Sequence, residues 1–418
     1  MKILFLSIGM PNLSTIQGGL YAGMLRELAK RNHSITVIAP SIENVPDGLH
    51  YEGCFRVLRI PMAQFRGNIP FYKKGVRILN MSRKYKSAYK KYFRDEKFDI
   101  LLMATPPVTL VDVAKLVKKF SGAKLYLILR DIHPQCMNRK VVSLEILERN
   151  DVYDECKKPF SVNIFVEKLL YYKAQSLYKI SDWVGCMSPK NQSYFKTIAP
   201  YVDESRILLL PNWYEEKPQM ETKDSGIIEK YHLEDKFIAI FGGTIGAAQA
   251  VWNIATLAKH NLDKKDVVFL VVGRGWKKAV LEKMAKADNL TNMIFLEYMP
   301  REDYEILLTK ADVGLVSIDE KHIVPTCPSK VIGYMALKKP VIAMFNAGND
   351  YGELYIDQSG CGLWSVGLDN EKMFANFDRL YTHPEERKAM GEAGFNYFNG
   401  HFTAKAVCDL LCEQLKQI

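Results

Sequence analysis

A glycine-rich turn near the middle of the chain is the first candidate for chemistry. The stretch FIAIFGGTIGAAQAVWNI, residues 237–254, predicts an apolar strand, a glycine cluster and a helix, and its spacing is not that of the dinucleotide motif GxGxxG. Gly242, Gly243 and Gly246 surround Thr244, and glycine lets backbone N–H groups approach a ligand closely. The N-terminus of a following helix favours a phosphate. Glycine also serves packing at such turns, so this motif alone leaves binding and packing as equal interpretations.

Two further stretches strengthen the phosphate interpretation. The strand VVFLVVGRGWKK ends in a second glycine turn that carries Arg274. In PTCPSKVIGYMALKKPVIAMFNAG, residues 325–348, Pro328 and Ser329 predict a helix start, with the proline as a stiff entry and the serine as the cap. Lys330 then lies in the first helical turn, where the helix dipole favours an acid. A lysine placed against the dipole is better explained by a diphosphate, although a solvent-facing lysine is the plain alternative.

Alternating strands and helices must position these residues. The predicted strands of the first half are KILFLSI, SITVIAP, FDILLMATPP, AKLYLILRD, WVGCMSP and RILLLPNW, and those of the second are FIAIFGG, VVFLVVGRG, MIFLEYMP, VGLVSI, PVIAMF and CGLWSV. Strands rich in Ile, Leu and Val that alternate with helices indicate a parallel sheet buried on both faces. The sequence therefore predicts an α/β fold with two doubly wound, Rossmann-like domains that face a central cleft. Ligands bind outside the carboxyl ends of such strands.

The same pattern sets the expected domain boundaries. We expect an N-terminal domain over 1–212, a polar connector over 213–234, and a second domain over 235–398. The segment HFTAKAVCDLLCEQLKQI predicts an amphipathic helix within 399–418 that packs back on the N-terminal domain.

Composition narrows the class of protein. The 418 residues are 48% hydrophobic and 25% charged, as in soluble globular proteins, and no apolar run reaches ~18 residues. The start, MKILFLSIGMPNLS, predicts a buried strand rather than a signal peptide. The eight cysteines lack CxxC spacing, which favours reduced cytosolic thiols over a disulfide framework or a zinc site.

The net charge of +10 is concentrated in one segment. Eleven cations lie between Arg66 and Lys97, opposed only by Asp95 and Glu96, and aromatic residues are interleaved with them. Such a helix can lie on an anionic membrane with its aromatic side down. A solvated helix that packs its aromatics on its own domain and a nucleic-acid groove are the alternatives, in that order. The residues expected to face the membrane are Lys73, Lys74, Lys84, Lys86, Lys90 and Lys91.

Taken together, the second half resembles the carboxyl domain of a GT-B glycosyltransferase. GGTIGAAQAVWNI, VVGRGWKK, PSKVIGYMALKKPVIA and GELYIDQSGCGLWSV carry the resemblance, and it is narrowest to the retaining family-4 enzymes of capsule and O-antigen assembly, the fucosaminyltransferase-like subgroup with a PSK motif. FLSIGMPNLSTIQGGLYAGMLRELAKRNHSITVIAP, ATPPVTLVDVAKLVKKFSGAKLYLILRDIHPQ, DWVGCMSPKNQSYF and LLLPNWYE extend it over almost the whole chain.

The resemblance implies roles for particular residues. Residues 243–246 would pass beneath the donor phosphates, Lys330 and Arg274 would neutralise the leaving diphosphate, and the helix over 352–358 would lie near the donor's sugar or ribose. The implied donor-binding set is Gly18, Gly19, Gly243, Thr244, Ile245, Gly246, Gln249, Arg274, Ser329, Lys330, Gly333 and Glu353. Arg130, Asp131 and His133 would be the catalytic candidates.

Three departures from that family's pattern stand out. Pro325 and Gly333 occupy the places of two glutamates that family-4 enzymes often carry. Arg130 stands where many relatives have a histidine, and His133 replaces an aromatic residue. Ala247, Ala248 and Gln249 replace a pair of cations, so diphosphate binding would depend on backbone amides and Lys330.

The implied reaction moves a sugar from a nucleotide diphosphate sugar, with a UDP-sugar favoured, to a polyprenyl-diphosphate-linked saccharide. We expect front-face attack assisted by the departing phosphate, because no carboxylate pair of the retaining-glycosidase kind is evident. No cofactor, metal or nucleic acid is expected, and the protein would act peripherally on the inner face of the plasma membrane. A UDP-sugar 2-epimerase, which needs carboxylates for proton transfer, and a basic nucleic-acid binder, which would leave both glycine turns unexplained, are the rival interpretations.

Overall fold

The computed structural model describes residues 1–15, 20–62, 71–132, 164–215, 226–246, 248–320, 322, 324, 325 and 327–417, without the side chains of 71–79, 164–167, 301 and 302. These residues form two compact units. The first takes the described residues within Met1–Cys136, Ser161–Glu216 and Ala404–Ile418, and the second takes those within Lys217–Thr403.

A sheet of eight described strands forms the centre of the first unit. The strands are β1 (Lys2–Leu6), β2 (Ser34–Pro40), β3 (Gly48–Glu52), β4 (Phe55–Ile60), β5 (Ile100–Ala104), β6 (Lys124–Leu129), β7 (Trp183–Cys186) and β8 (Ile207–Leu209). Their spatial order is β3-β4-β2-β1-β5-β6-β7-β8, and every pair is parallel except the β3–β4 hairpin. The hairpin turns at Gly53, whose φ of 61° suits glycine. Sequence reasoning did not predict these two strands.

Helices connect the parallel strands and cover the sheet. They are α1 (Leu20–Lys30), α2 (Phe71–Tyr92), α3 (Val111–Ser121), α4 (Ile164–Ile180) and α5 (Pro189–Ile198). α5 shows how the sequence starts a helix: Ser188 caps it by accepting a hydrogen bond from the Asn191 N–H, and Pro189 occupies the first turn. α3 ends at Gly122, where φ is 75°.

The second unit has a six-stranded sheet that is parallel throughout its described pairs. Its strands are β9 (Phe237–Thr244), β10 (Val267–Arg274), β11 (Met293–Leu296), β12 (Val313–Ser317), β13 (Val341–Phe345) and β14 (Gly362–Val366), in the order β11-β10-β9-β12-β13-β14. All six strands were predicted from the sequence. The order reverses direction between β9 and β12, the switch point at which doubly wound sheets bind ligands.

The described helices of this unit follow the strands in turn. They are α6 (Ile227–Lys230), α7 (Val251–His260), α8 (Trp276–Ala287), α9 (Arg301–Lys310), α10 (Ser329–Ala336), a π-helix (Gly352–Asp357), α11 (Asn370–Thr382) and α12 (Pro384–His401). Because β9, β10, β12 and β13 are parallel, the segments that enter α7, α8, α10 and the π-helix all start at one edge of the sheet.

The last helix, α13 (Ala404–Lys416), belongs to the first unit. It packs against α1 and buries Val407, Cys408, Leu411 and Leu415 in the core of the first sheet. Arg31 of the α1 end pairs with Asp409, 2.5 Å apart. Trp213 is buried in the same core, so the ordered first unit continues past residue 212. Among the described residues, no helix combines the length and apolar character needed to cross a membrane.

Candidate active site

Two interlocked glycine turns form the carboxyl edge of the second sheet. Gly243 at the end of β9 pairs in register with Gly273 at the end of β10. A Cβ on Gly273 would overlap the carbonyl oxygen of Gly243, and one on Gly275 would overlap that of Ile245. The φ angles of Gly243, Gly273 and Gly275 are 102°, 138° and 153°, which also require glycine. The glycines of these turns therefore serve close backbone packing, which was one of the two interpretations of the sequence.

One part of the first turn remains open to a ligand. A Cβ on Gly243 would meet no atom within 4 Å, and Gly243 and Thr244 are both exposed. The following amides are occupied, because the Ile245 N–H donates to the Arg274 carbonyl (3.0 Å) and the Gly246 N–H donates to Oε1 of Gln249 (2.8 Å).

The N–H groups of Ile245 and Gly246 are therefore already used within the protein, and the exposed Gly243 and Thr244 form the open part of the turn. The Ile245 side chain is buried, and Gln249 holds the turn by accepting the Gly246 N–H. The helix predicted after the glycine cluster is present. It starts at Val251, seven residues after Thr244.

A buried ion pair behind the turns was missed by the sequence analysis. Lys277, in the first turn of α8, donates from Nζ to Asp319 Oδ2 (3.0 Å) and to the Gln249 carbonyl (2.6 Å). Both side chains of the pair are less than a tenth exposed, and the ammonium lies 4.8 Å from the ring centroid of Trp252. Asp319 follows β12, so this pair links the segments that leave β9, β10 and β12.

Lys330 has a different environment at the same edge. Its Nζ atom is buried and has no hydrogen-bond partner among the described residues, although part of the side chain is accessible. Nζ lies over the ring of Phe241, 3.9 Å from the ring centroid, in a cation–π contact. Burial lowers the pKa of Lys330 from 10.5 to about 7. An unpaired ammonium in such a place is a ready counter-ion for an incoming anion.

The other predicted donor contacts lie on the same edge with varied exposure. Ser329 starts α10 but does not cap it, because Pro328 is the cap residue and no side-chain hydrogen bond forms there, which corrects the predicted capping role. Gly333 is buried within α10. Arg274 is exposed and stacks over Tyr298 at 4.6 Å, and Glu353 is exposed in the first turn of the π-helix.

The carboxyl edge of the first sheet borders an open cavity of about 280 Å³. The ends of β1, β5 and β6 line it through Ser7, Gly9, Thr105, Arg130 and Asp131, and Tyr21 of α1 completes the wall. Thr105 fixes the strand end: its hydroxyl accepts from the Arg130 N–H (3.1 Å) and donates to the Asp131 carbonyl (3.0 Å). The structure thus brings the two catalytic candidates Arg130 and Asp131 into one cavity.

Aromatic rings hold the Arg130 guanidinium. Its Cζ lies 4.5 Å from the ring centroid of Trp213 and 6.0 Å from that of Tyr21. Nη1 is buried without a hydrogen-bond partner, and no ion pair to Arg130 is present among the described residues. Burial raises the pKa of Asp131, while the charge of Arg130 opposes the rise. Burial likewise raises the pKa of Tyr21 against the same opposing charge.

A second buried ion pair anchors the loop after β1. Arg59 donates from Nε to Glu52 Oε1 (2.7 Å) and from Nη2 to Oε2 (2.8 Å), and it also donates to the carbonyls of Met10 and Pro11, both at 2.7 Å. Glu52 in turn accepts the Leu13 N–H (2.8 Å). Burial alone would raise the pKa of Glu52, but Arg59 and the Leu13 N–H more than offset it and hold the pKa below its usual value.

α2 lies within the basic segment, and most of the aromatic side chains described there are buried, whereas Tyr92 is 38% exposed. Tyr85, Tyr89 and Phe93 are buried within the first unit, and the Tyr85 hydroxyl donates to the Ser7 carbonyl (2.5 Å). The expectation that aromatics point to lipid is therefore wrong for these residues. The exposed cations Lys84, Lys90 and Lys91 and the partly exposed Lys86 lie outside that core.

Some predicted residues lie outside the described part of the chain. They are Gly18, Gly19 and His133, and for Lys73 and Lys74 only the backbone is described. Within the described ranges, no group of three or more His, Cys, Asp or Glu side chains is placed to hold a metal ion.

The two doubly wound parallel sheets, each with helices following its strands, define the GT-B fold. Over residues 225–397, within the second unit, the chain matches the family model described as "Glycosyl transferases group 1".

Individual proteins that are similar in sequence to this chain are also named as glycosyltransferases. The chain is 24% identical to "Probable glycosyltransferase WbjE" of Pseudomonas aeruginosa over 64% of its own length and 62% of the relative's. It is 28% identical to "Putative colanic acid biosynthesis glycosyl transferase WcaI" of Escherichia coli K12, over 38% of this chain and 40% of the relative. The matches therefore span less than two thirds of either relative. The Anabaena Alr3699/HepE structure in complex with UDP-glucose superposes over 100% of both chains with a TM-score of 0.63 at 11% identity, a likeness of fold.

Proposed function

We propose that the protein is a retaining glycosyltransferase whose donor is a nucleotide diphosphate sugar. The observation that carries the proposal is Lys330, a buried ammonium without a hydrogen-bond partner among the described residues, at the carboxyl edge of a domain that matches the group 1 glycosyltransferases. A diphosphate beside Nζ would supply the missing counter-charge through a charge-assisted hydrogen bond. As the sugar leaves, that bond strengthens, because negative charge accumulates on the departing phosphate.

The other residues proposed to contact the donor are exposed at the carboxyl edge of the second sheet. Gly243 and Thr244 offer an open backbone surface, and Arg274 adds an exposed guanidinium. Glu353, exposed in the first turn of the π-helix, can accept hydrogen bonds from sugar or ribose hydroxyls. The two cations take the role that a metal has elsewhere, so we include no metal in the proposal.

A UDP-sugar is the favoured donor. HepE, whose fold this chain shares, is described in complex with UDP-glucose. The resemblance to the fucosaminyltransferase-like subgroup favours an N-acetylated hexosamine or deoxyhexosamine as the sugar.

The proposed chemistry is front-face substitution. The bond from the anomeric carbon to the donor phosphate oxygen breaks, and a bond from the same carbon to the acceptor oxygen forms on the same face. The proton of the acceptor hydroxyl passes to an oxygen of the leaving diphosphate, so no carboxylate nucleophile is required. Asp131 would accept a hydrogen bond from the acceptor and orient it.

The acceptor is proposed to be a polyprenyl-diphosphate-linked saccharide met at the inner face of the plasma membrane, in the assembly of a surface polysaccharide. WcaI carries colanic acid biosynthesis in its name, which supports the polysaccharide setting. The exposed lysines of α2 support contact with anionic headgroups, and that contact rests on charge because Tyr85, Tyr89 and Phe93 are buried.

A thermal-shift panel of nucleotides tests the donor site. UDP and UDP-sugars should raise the melting temperature of the full chain as their concentration passes the dissociation constant, and AMP should not. The shift should fall sharply in Lys330→Met and persist in the matched surface variant Lys286→Met. A nucleotide panel without any shift, or equal shifts in the Lys330 variant, would contradict the proposal.

A further inference from the structure

The cavity of the first unit contains a guanidinium that forms no ion pair among the described residues. The titratable side chains on its wall are Arg130, Asp131 and Tyr21. Arginine stays charged throughout the physiological pH range. The Arg130 guanidinium lies over the neutral rings of Trp213 and Tyr21.

Other arginines of the same unit show what a balanced guanidinium looks like here. Arg59 is fully buried and bonds both carboxylate oxygens of Glu52. Arg31 and Arg56 pair with Asp409 and Glu96, each at 2.5 Å. Arg130 differs from all three, since its Nη1 is buried without a partner and no carboxylate lies within ion-pair distance in the described structure.

The rings of Trp213 and Tyr21 hold the guanidinium, and Tyr21 shares a side-chain hydrogen bond with it. Nη1 is still without a hydrogen-bond partner among the described residues. A planar fork of N–H donors matches a carboxylate or phosphate with two parallel hydrogen bonds. The arrangement at Arg130 is therefore that of an anion receptor rather than of a structural ion pair.

The rest of the cavity suits the remainder of a sugar. Its volume of about 280 Å³ is near the lower end of small-ligand sites, enough for one monosaccharide unit. Asp131 can accept hydrogen bonds from hydroxyl groups, and Ser7 lies on the same wall.

We propose that this cavity binds a sugar unit bearing an anionic group, a carboxylate or a phosphate, with the anion on Arg130 and a hydroxyl group on Asp131. The inference rests on the proposed function in naming this sugar as part of the acceptor. The protein would then select acceptors that carry an acidic sugar, and this selection would not involve the diphosphate of the donor.

Direct binding of small probes to the full chain tests this. Isothermal titration would use glucose, glucuronate and glucose 1-phosphate, which differ in the anionic group. At least one acidic sugar should bind at least about tenfold more tightly than glucose, since a hydrogen bond to a charged group contributes about that much. Preference between the two acidic probes identifies carboxylate or phosphate as the anion.

Variants place the binding in this cavity. Arg130→Met should weaken the acidic probe at least about tenfold, and Arg130→Lys, which keeps the charge but loses the fork, should give a smaller loss. Arg83→Met, an exposed cation of the same unit, should leave binding unchanged. Lys330→Met should also bind the acidic probe normally, which excludes the proposed donor site as its location.

Three outcomes would overturn the inference. They are equal binding of glucose and both acids, absence of acid binding to the unaltered protein, and loss of acid binding in Lys330→Met but not in Arg130→Met. The donor proposal is judged separately, by the UDP-induced thermal shift. Acid binding without a UDP shift would remove the donor proposal alone, and a UDP shift without acid binding would remove this inference alone.

Discussion

At the carboxyl edge of each sheet, one cation is held in a buried ion pair and another rests on an aromatic ring. In the first unit Arg59 is bound by Glu52, whereas Arg130 rests on Trp213 without an ion pair in the described structure. In the second, Lys277 is bound by Asp319, whereas Lys330 rests on Phe241. The ion-paired cations connect neighbouring loops through their hydrogen bonds. The cations that lie on aromatic rings have no carboxylate partner among the described residues.

The comparison separates residues that stabilise the fold from residues that wait for a ligand. A buried charge with a partner is costly to disrupt, because its removal leaves the other charge uncompensated. A buried charge without a partner is itself a cost, which binding of an anion relieves. The two kinds of cation should therefore respond in opposite ways to neutral substitution.

The largest effect is expected at Arg59. Arg59→Met leaves Glu52 buried without its counter-ion and frees the carbonyls of Met10 and Pro11, so the first unit should lose about 3–5 kcal/mol of stability. Hydrogen exchange of first-unit peptides measures this. The control Arg31→Met breaks a partly exposed pair with Asp409 and should cost at most about 1 kcal/mol. Equal, small losses in both variants would contradict a stabilising role for the Arg59 pair.

A somewhat smaller loss is expected at Lys277. Lys277→Met leaves Asp319 unpaired and releases the Gln249 carbonyl, which should destabilise the second unit by about 3 kcal/mol. Hydrogen exchange in the segments that follow β9 and β12 should rise together. Lys259→Met, at an exposed pair with Asp288, is the control. If exchange rose near Lys277 alone, the pair would not link those segments.

Lys330→Met should instead leave the melting temperature of the free protein unchanged or higher. The folded-state pKa of about 7 lies below the ordinary 10.5, so folding disfavours the charged form. That cost is complete below about pH 7 and diminishes as the pH rises toward 10.5, because the unfolded lysine binds the extra proton there. The gain from the substitution should therefore be larger at pH 6 than at pH 9, as measured by thermal melts. A lower melting temperature at pH 6 would show that Lys330 stabilises the fold.

The same lysine gives donor binding a pH dependence. Only the ammonium form attracts a diphosphate, so UDP affinity should fall as the pH rises above about 7, by at most about tenfold per unit. Titration calorimetry in buffers of different ionisation enthalpy should detect proton uptake on binding at pH 8. Lys330→Arg, charged at every pH tested, should lose this dependence. A flat profile in the unaltered protein would remove Lys330 from the binding step.

The smallest effect is expected on the surface of α2. Lys90→Gln should weaken binding to vesicles that contain anionic lipid by about fivefold, or about 1 kcal/mol, and should not change binding to neutral vesicles. Lys286→Gln, an exposed lysine of the second unit, is the control. If both variants bound anionic vesicles equally, α2 would have no special role at a membrane.

Features of the fold and the site that depend on neighbouring residues in the sequence could be predicted, whereas contacts between distant residues could not. Most of the parallel strands were readable because they are short apolar runs, many of them rich in Ile, Leu and Val. The β3–β4 hairpin was missed because β3 has no apolar run and because Arg56 and Arg59 interrupt the apolar residues of β4, which is mostly buried. Lys330 was found by its position against the helix dipole, and the same argument applies to Lys277 in the first turn of α8.

Partners distant in sequence could not be read from the chain. Trp213 supports Arg130, and Asp319 neutralises Lys277, only because the fold brings them together. For the same reason, the aromatic residues of α2 could not be assigned to lipid or core from their spacing, since an apolar helical face serves either.

The overlap of the two glycine turns limits how this edge can be altered. The carbonyl oxygens of Gly243 and Ile245 occupy the space that side chains on Gly273 and Gly275 would need. The second turn therefore cannot accept a side chain at Gly273 or Gly275 unless the backbone of the first turn moves. Engineering a new nucleotide preference here would require redesign of both segments at once, and single replacements at Gly273 or Gly275 should act on the two as a unit.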